Sequence, residues 1–436
     1  MKSWLLLPLI ALSSPSLAQV AAPQPTPAPM SPTQPSGRTL LTATQALFDG
    51  YIRDDKMPGI VAAFGVGDRP PVYVQAGRIA DEETAPVTGS DSLWRVYSMT
   101  KPITGMAAML LIEEGKLKLD DPVSKYIPAF AKMRVLTNPQ ASLDSVPAKA
   151  SITIRHLLTH TAGFSYSIVA KGPLLAEYER LGLLPLEVNG AAEAKMKLVR
   201  PKTLAEFANR VATVPLIAEP GTTWSYSVAL DVLARVIEVA GGMPYDQFLQ
   251  TRFFTPLKMA DTGFFVPTRN RARLATNYTI VGEQRVPLDP GATSIYLSPP
   301  SFPYGGAGLV SSAHDYDRFL HMIAARGTVD GVQVMKPETV ALATSNLLPR
   351  GVFFEGDQGY GAGGSVRLTD KPGGSSKGTY AWGGAAGTLA WVDPVRNFRA
   401  TVMVNYFPGT AYPLATDIGG ALLQDMQRLH GGNPPR

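Results

Sequence analysis

Cysteine is absent from this chain. Disulfide bonds, thiol nucleophiles and cysteine-based metal sites are therefore excluded, and the fold must rest on its core. Absent too, beyond the first eighteen residues, is any apolar run long enough to cross a bilayer. Basic charge is not concentrated anywhere. The net charge of +5 is spread thinly, without a basic run or interleaved aromatics, so no nucleic-acid partner is expected. No internal repeat divides the chain.

What is present is length and core-forming material. With 436 residues and 45% hydrophobic content, the chain can bury a large core, expected as two closely packed lobes. Met1-Lys2-Ser3-Trp4, the apolar stretch Leu5 to Leu12 and Ser16-Leu17-Ala18 have the pattern of a secretory signal cleaved after Ala18. That pattern predicts a periplasmic or secreted protein with no stable membrane anchor once the signal is removed. Residues 19–37, rich in Pro, Ala, Ser and Thr, read as an extended linker.

Strand-like segments stand at both ends and helical ones between. A helix over Thr42 to Asp55 precedes an antiparallel pair, Gly59 to Gly65 and Pro71 to Gly77. Helices are expected at Ile152 to His160, Leu204 to Val211, Val228 to Gly241, Tyr245 to Phe253 and His314 to Arg326. Strands return at Gly359 to Leu368, Gly378 to Trp382, Gly387 to Asp393 and Asn397 to Phe407, and a last helix covers Leu414 to Leu429. Pairing of the terminal strands into one sheet, around a helical insertion, is the simplest architecture.

Ser98-Met99-Thr100-Lys101 is the only S-x-x-K in the sequence, and it opens an amphipathic pattern that stops at Gly115. On a helix, positions three apart are neighbours, so a hydroxyl would lie beside an amine. A serine near neutral pH needs such a base. Pro102 falls in the first turn, where a missing N–H is tolerated, and the N–H groups there favour developing negative charge. Two further centres follow. Tyr226, in Trp224-Ser225-Tyr226-Ser227 at the mouth of a helix, could aim its phenol into a cleft as a proton shuttle. Trp382-Gly383-Gly384-Ala385 ends a strand-like run, where paired glycines allow close backbone approach by a ligand.

Other matches carry less. Gly374-Ser375-Ser376-Lys377-Gly378 satisfies G-x-S-x-G but lies in a loop between strands, without the strand and helix that a nucleophile elbow needs. Lys371-Pro372-Gly373 is a poor strand motif because proline interrupts a sheet ladder. His156 and His160 have zinc-like spacing but no glutamate between them, and read as capping or packing residues. No metal and no cofactor is implied. Gly305 to Gly308 lacks the lysine of a phosphate loop and reads as a tight turn lining the fold.

In order, S-x-x-K, Tyr-Ser-x and the Gly-Gly strand resemble the serine β-lactamase and penicillin-binding-protein superfamily. The chain is most similar to the class C β-lactamase-like branch, and within it to the family VIII carboxylesterases. Supporting stretches are Gly115-Lys116-Leu117-Lys118-Leu119-Asp120-Asp121-Pro122-Val123, His156-Leu157-Leu158-Thr159-His160-Thr161-Ala162-Gly163, Pro220-Gly221-Thr222, and Gly305 to Leu309 with Asp315-Tyr316. The resemblance implies an α/β (α+β) β-lactamase-like fold, an antiparallel sheet flanked by helices plus a mostly helical lobe. One domain would cover 38–430, with 38–120 and 310–430 as the α/β lobe and 121–309 as the helical lobe.

It also implies a mechanism. Ser98 is the expected nucleophile, and Lys101 and Tyr226 share proton transfer, with the base unassigned because close titrating groups act as a pair. The backbone N–H groups of Ser98 and, from the resemblance, Ala385 hold the oxyanion. Trp382, Gly383, Gly384 and Val228 line the substrate pocket. Class C enzymes have asparagine where Val228 stands and Lys-Thr-Gly where Trp382-Gly383-Gly384 stands. Both departures favour a neutral ester over a β-lactam, so the expected activity is an exported carboxylesterase acting on a small-molecule ester, with weak β-lactam turnover. The alternatives are a class C-type β-lactamase or D-alanyl peptidase, and a non-catalytic envelope binding protein. Oligomeric state is not legible.

Overall fold

The computed structural model of the chain describes residues 37–184 and 188–429. The expected signal, 1–18, and the linker up to residue 36 lie outside the described residues. Gly37, read as the end of that linker, instead opens a short helical turn, Gly37–Leu40. All described residues fall in one compact unit.

The centre is a seven-stranded antiparallel sheet. Its strands are β1 (Gly59–Val66), β2 (Val72–Gly77), β3 (Gln358–Tyr360), β4 (Ser365–Arg367), β5 (Tyr380–Gly383), β6 (Leu389–Asp393) and β7 (Phe398–Met403). Their order is β3-β4-β5-β6-β7-β1-β2, so the first strand of the sheet in chain order pairs with its last, Ala62 standing opposite Val402. β1 is apolar throughout because both of its faces are covered. Ile60, Ala62 and Phe64 join the core beneath α1 (Thr42–Arg53) and α5 (Leu414–Leu429). Val61 and Ala63 join the larger core on the other face, where α4 (Ala313–Ala324) packs.

The two terminal helices are joined by a carboxylate. Buried Asp425 of α5 accepts from the N–H groups of Ala43 and Thr44 and the hydroxyl of Thr44, at 2.8, 2.9 and 2.8 Å. A negative group there satisfies orphan donors at the start of α1 and complements its dipole.

Between β2 and β3 lies the helical part. α2 (Thr100–Glu113) packs against α3 (Ala229–Gly241), and shorter helices, Ile154–Leu158 and Leu204–Val211, also pack on α3. α2 corrects an expectation: every residue from Thr100 to Leu111 is buried, so the helix is enclosed rather than amphipathic. Gly115, at φ +71°, ends it as anticipated. Two strand readings also change. Gly359 to Leu368 is a hairpin, β3 and β4, reversed near Gly363 at φ +78°. Asn397 to Phe407 breaks after Met403, and Tyr406–Phe407 leaves the sheet to pair in parallel with Tyr278 and Thr279.

Candidate active site

Ser98 sits in a 3-10 turn, Tyr97–Met99, that runs directly into α2. The turn begins on a strained residue. Tyr97 has φ +43°, a conformation that side chains rarely adopt unless their surroundings enforce it. Its phenol oxygen accepts from Asn277 Nδ2 at 2.9 Å, and its ring meets Phe407 edge-on with centroids 5.3 Å apart. Pro102 is the third residue of α2, where its missing N–H leaves no acceptor unpaired.

One turn further on, Lys101 is 0% exposed. Its Nζ donates to Ser98 Oγ at 3.1 Å and to the Gly306 carbonyl at 2.7 Å. Tyr226 closes the cluster, its Oη 2.6 Å from Ser98 Oγ. The amine also lies over aromatic faces, 4.6 Å from the Tyr226 ring centre and 5.6 Å from that of Tyr166. The three residues proposed for catalysis from sequence are thus brought into mutual contact from two distant segments.

Tyr226 is held from behind by His160, a residue read from sequence as capping or packing. The His160 carbonyl accepts from Ser225 N–H at 2.9 Å, and its Nδ1 accepts from Ser227 N–H at 3.2 Å. Its ring lies 4.9 Å from that of Tyr226. Complete burial pushes this imidazole well below its ordinary value, so it is neutral with its proton on Nε2. His156, by contrast, forms a reciprocal cap with Thr153, and burial lowers it to about 4. The two histidines do not converge, and no group of metal-ligating side chains occurs among the described residues.

A cleft of about 300 Å³ opens over Ser98, lined also by Ile168, Tyr226, Trp382, Gly383, Gly384 and Ala385. A second hollow, of about 360 Å³ between Lys202, Arg235 and Phe302, shares no residue with it. Ser98 is early in its turn, where N–H groups lack intrahelical acceptors. The Ala385 N–H donates to no backbone acceptor among the described residues. Trp382 belongs to an aromatic wall, its ring 6.1 Å from Tyr226, 5.1 Å from Tyr360 and 6.2 Å from Phe354. Gly384 is bare for a reason internal to the chain: a Cβ there would lie 2.1 Å from Thr388 Oγ1 and 2.6 Å from the Val96 carbonyl.

Val228 is not part of this wall. It stands just before α3, fully buried in the apolar core, because an aliphatic side chain at that bend gains more from the core than from the cleft. Ser376 is also buried, with its N–H donated to Asp393 at 3.0 Å, and it lines neither hollow. The sequence reading missed Asp231 of α3. This carboxylate is 1% exposed, and its Oδ1 accepts from Gly306 N–H at 2.8 Å. An acid inside the apolar run Val228-Ala229-Leu230-Asp231-Val232-Leu233 was the available signal. Ile168, 64% exposed in the same cleft as Ser98, was missed as well.

Comparison with known proteins places this geometry in context. The family description "Beta-lactamase" matches residues 44–423. Protein Rv1367c of Mycobacterium tuberculosis is 36% identical over 349 residues, 76% of this chain and 81% of that one. Esterase EstB of Burkholderia gladioli is 30% identical over 405 residues, 88% of this chain and 95% of EstB. Among solved structures, EstCE1, described as a hydrolase with promiscuous acyltransferase activity, superposes with a TM-score of 0.71 at 27% identity. That match covers 88% of this chain and 99% of EstCE1.

Proposed function

The chain belongs to the beta-lactamase family as a serine hydrolase, and from that premise we propose that it is an exported carboxylesterase working through an acyl-Ser98 intermediate. The observation that carries the reading is the contact of one hydroxyl with both partners, Ser98 Oγ lying 2.6 Å from Tyr226 Oη and 3.1 Å from Lys101 Nζ. A serine so placed can lose its proton as it attacks the ester carbonyl. The carbonyl electrons move onto oxygen, and the N–H groups of Ser98 and Ala385 donate hydrogen bonds to the oxyanion; donors of this kind are typically worth about 3 kcal/mol each. Collapse expels the alkoxide, which takes the proton held by the Lys101–Tyr226 pair. Water then repeats the sequence in reverse.

The cleft wall supports an ester rather than a β-lactam. Trp382 and Ile168 offer apolar surface beside Ser98, and neither provides a cation for a substrate carboxylate. Slow cephalosporin turnover accompanies the main activity. An alcohol that displaces water in this apolar cleft would receive the acyl group, giving transfer instead of hydrolysis. Export rests on the apolar start of the chain, Leu5 to Leu12, with Ser16-Leu17-Ala18.

The test is hydrolysis of p-nitrophenyl butyrate by the wild type and by Ser98→Ala. Turnover lost on substitution supports the reading. Turnover that survives removes Ser98 from the mechanism. Absence of turnover in the wild type, with D-alanyl peptide or cephalosporin cleavage in its place, selects the peptidase or β-lactamase alternative.

A further inference from the structure

Lys101 is buried with partners that carry no charge. Its amine donates to a hydroxyl and to a carbonyl, and it forms no ion pair with a carboxylate among the described residues. An amine held in that way draws any counter-charge from further off, through a medium that screens poorly. The carboxylate in position to provide it is Asp231. Its Oδ1 grips the N–H of Gly306, the residue whose carbonyl receives Lys101, and its Oδ2 accepts no hydrogen bond from the described residues. Gly306 must be glycine for this contact, since a Cβ there would lie 2.7 Å from Asp231 Oδ2. One residue thus connects the acid and the amine, by its N–H on one side and its carbonyl on the other.

We propose that Asp231 is a positioning residue for the Ser98 site, its ionised carboxylate fixing the Gly306 carbonyl against the Lys101 amine and supplying the buried negative charge that this amine lacks in its own contacts. The inference rests on reading Ser98 as the nucleophile. It predicts that function requires the charge at position 231 as well as the hydrogen bond.

Burial raises this carboxyl from its ordinary value to about 6, with Lys101 pulling the other way. Tyr166 and Tyr245 are pushed up by burial, and His160, across the site, is held neutral. On its own helix Glu238 pairs with Arg235, while Glu206 and Arg210 of the neighbouring helix pair with each other, and Arg155 pairs with Asp120. Wild-type acylation should therefore fall as pH drops through about 6, when Asp231 takes up its proton.

The experiment is kcat/KM for p-nitrophenyl butyrate from pH 5 to pH 9, for the wild type and Asp231→Asn. Each protein is also labelled with a fluorophosphonate, and the label located by peptide mass. The amide keeps the shape and the acceptor for Gly306 but not the charge. The expected result is a loss of about tenfold at pH 8, a fraction of what proton-transfer groups themselves contribute, together with disappearance of the acid limb. A wild-type profile retained in Asp231→Asn overturns the inference, and so does a wild type with no acid limb near pH 6, whether or not the variant folds. A label found elsewhere than Ser98 overturns the catalytic reading instead, so the two failures are distinguishable.

Discussion

Two kinds of buried charge lie six residues apart in this chain. Arg95 is saturated: its Nε donates to Asp289 Oδ2 at 2.8 Å, its Nη1 to the Ala275 carbonyl at 2.6 Å and its Nη2 to Ser294 Oγ at 2.8 Å. Asp289 in turn accepts from Ser294 Oγ at 2.6 Å. Arg399 is met likewise by Asp317 and by the Gly67 and Arg69 carbonyls. Lys101 and Asp231 are as deeply buried, yet each has uncharged partners only, and Asp231 has an oxygen to spare. Charges that hold a fold together are matched lone pair for lone pair. Those around Ser98 are left short, so that a proton in transit changes their energy.

The largest expected break in this contrast is Ser98→Ala, which should lower ester turnover by about 10⁴-fold or more while leaving the thermal midpoint in place. Asp289→Ala should do the opposite. It strands a buried guanidinium, and urea unfolding should show a loss of about 3–5 kcal/mol. Removing the wall tests a third kind of residue, one without charge. Trp382→Ala should raise KM for bulky aryl esters by about tenfold, the scale of one aromatic ring removed from beside the substrate, with a smaller change in kcat.

The smallest effect sharpens the comparison most. The fold raises the Asp231 carboxyl from 3.8 to about 6, so the stability this group contributes is present below the unfolded value and is lost as pH rises through the folded one. Asparagine has no such loss. The difference in thermal midpoint between Asp231→Asn and the wild type should therefore move in favour of the variant between pH 4 and pH 7, by a few degrees, and then level off. A stabilised but slower enzyme is the expected trade at a functional position.

Much of this was legible. The capped and bounded helices Leu204–Val211 and Leu414–Leu429 lie where their patterns placed them, the first because Thr203 Oγ1 accepts from Glu206 N–H at its start. Ser98, Lys101 and Tyr226 stand out as candidates in the sequence because two of them sit at helix mouths, and the fold brings the three into contact. The misses come from tertiary causes. A period-two reading of 359–368 passes over a reversal, although Gly361-Ala362-Gly363-Gly364 signalled one. The break after Met403 depends on Asn405, whose side chain mimics a strand by accepting from Arg95 N–H and donating to the Arg95 carbonyl at 3.2 and 3.0 Å. Val228 belongs to the pocket only by analogy with class C enzymes, and it is packing that turns it to the core.

The pairing of β1 with β7 has a consequence for how the molecule comes into being. Val61 must wait for Met403, its partner across the ladder, and at ordinary synthesis rates that interval is about twenty seconds to a minute. Until then the first hairpin has one bare, wholly apolar edge. Such long-range closure slows folding. The nascent chain thus stays adhesive for most of its birth, and truncation before Phe398 should produce an aggregate rather than a smaller enzyme.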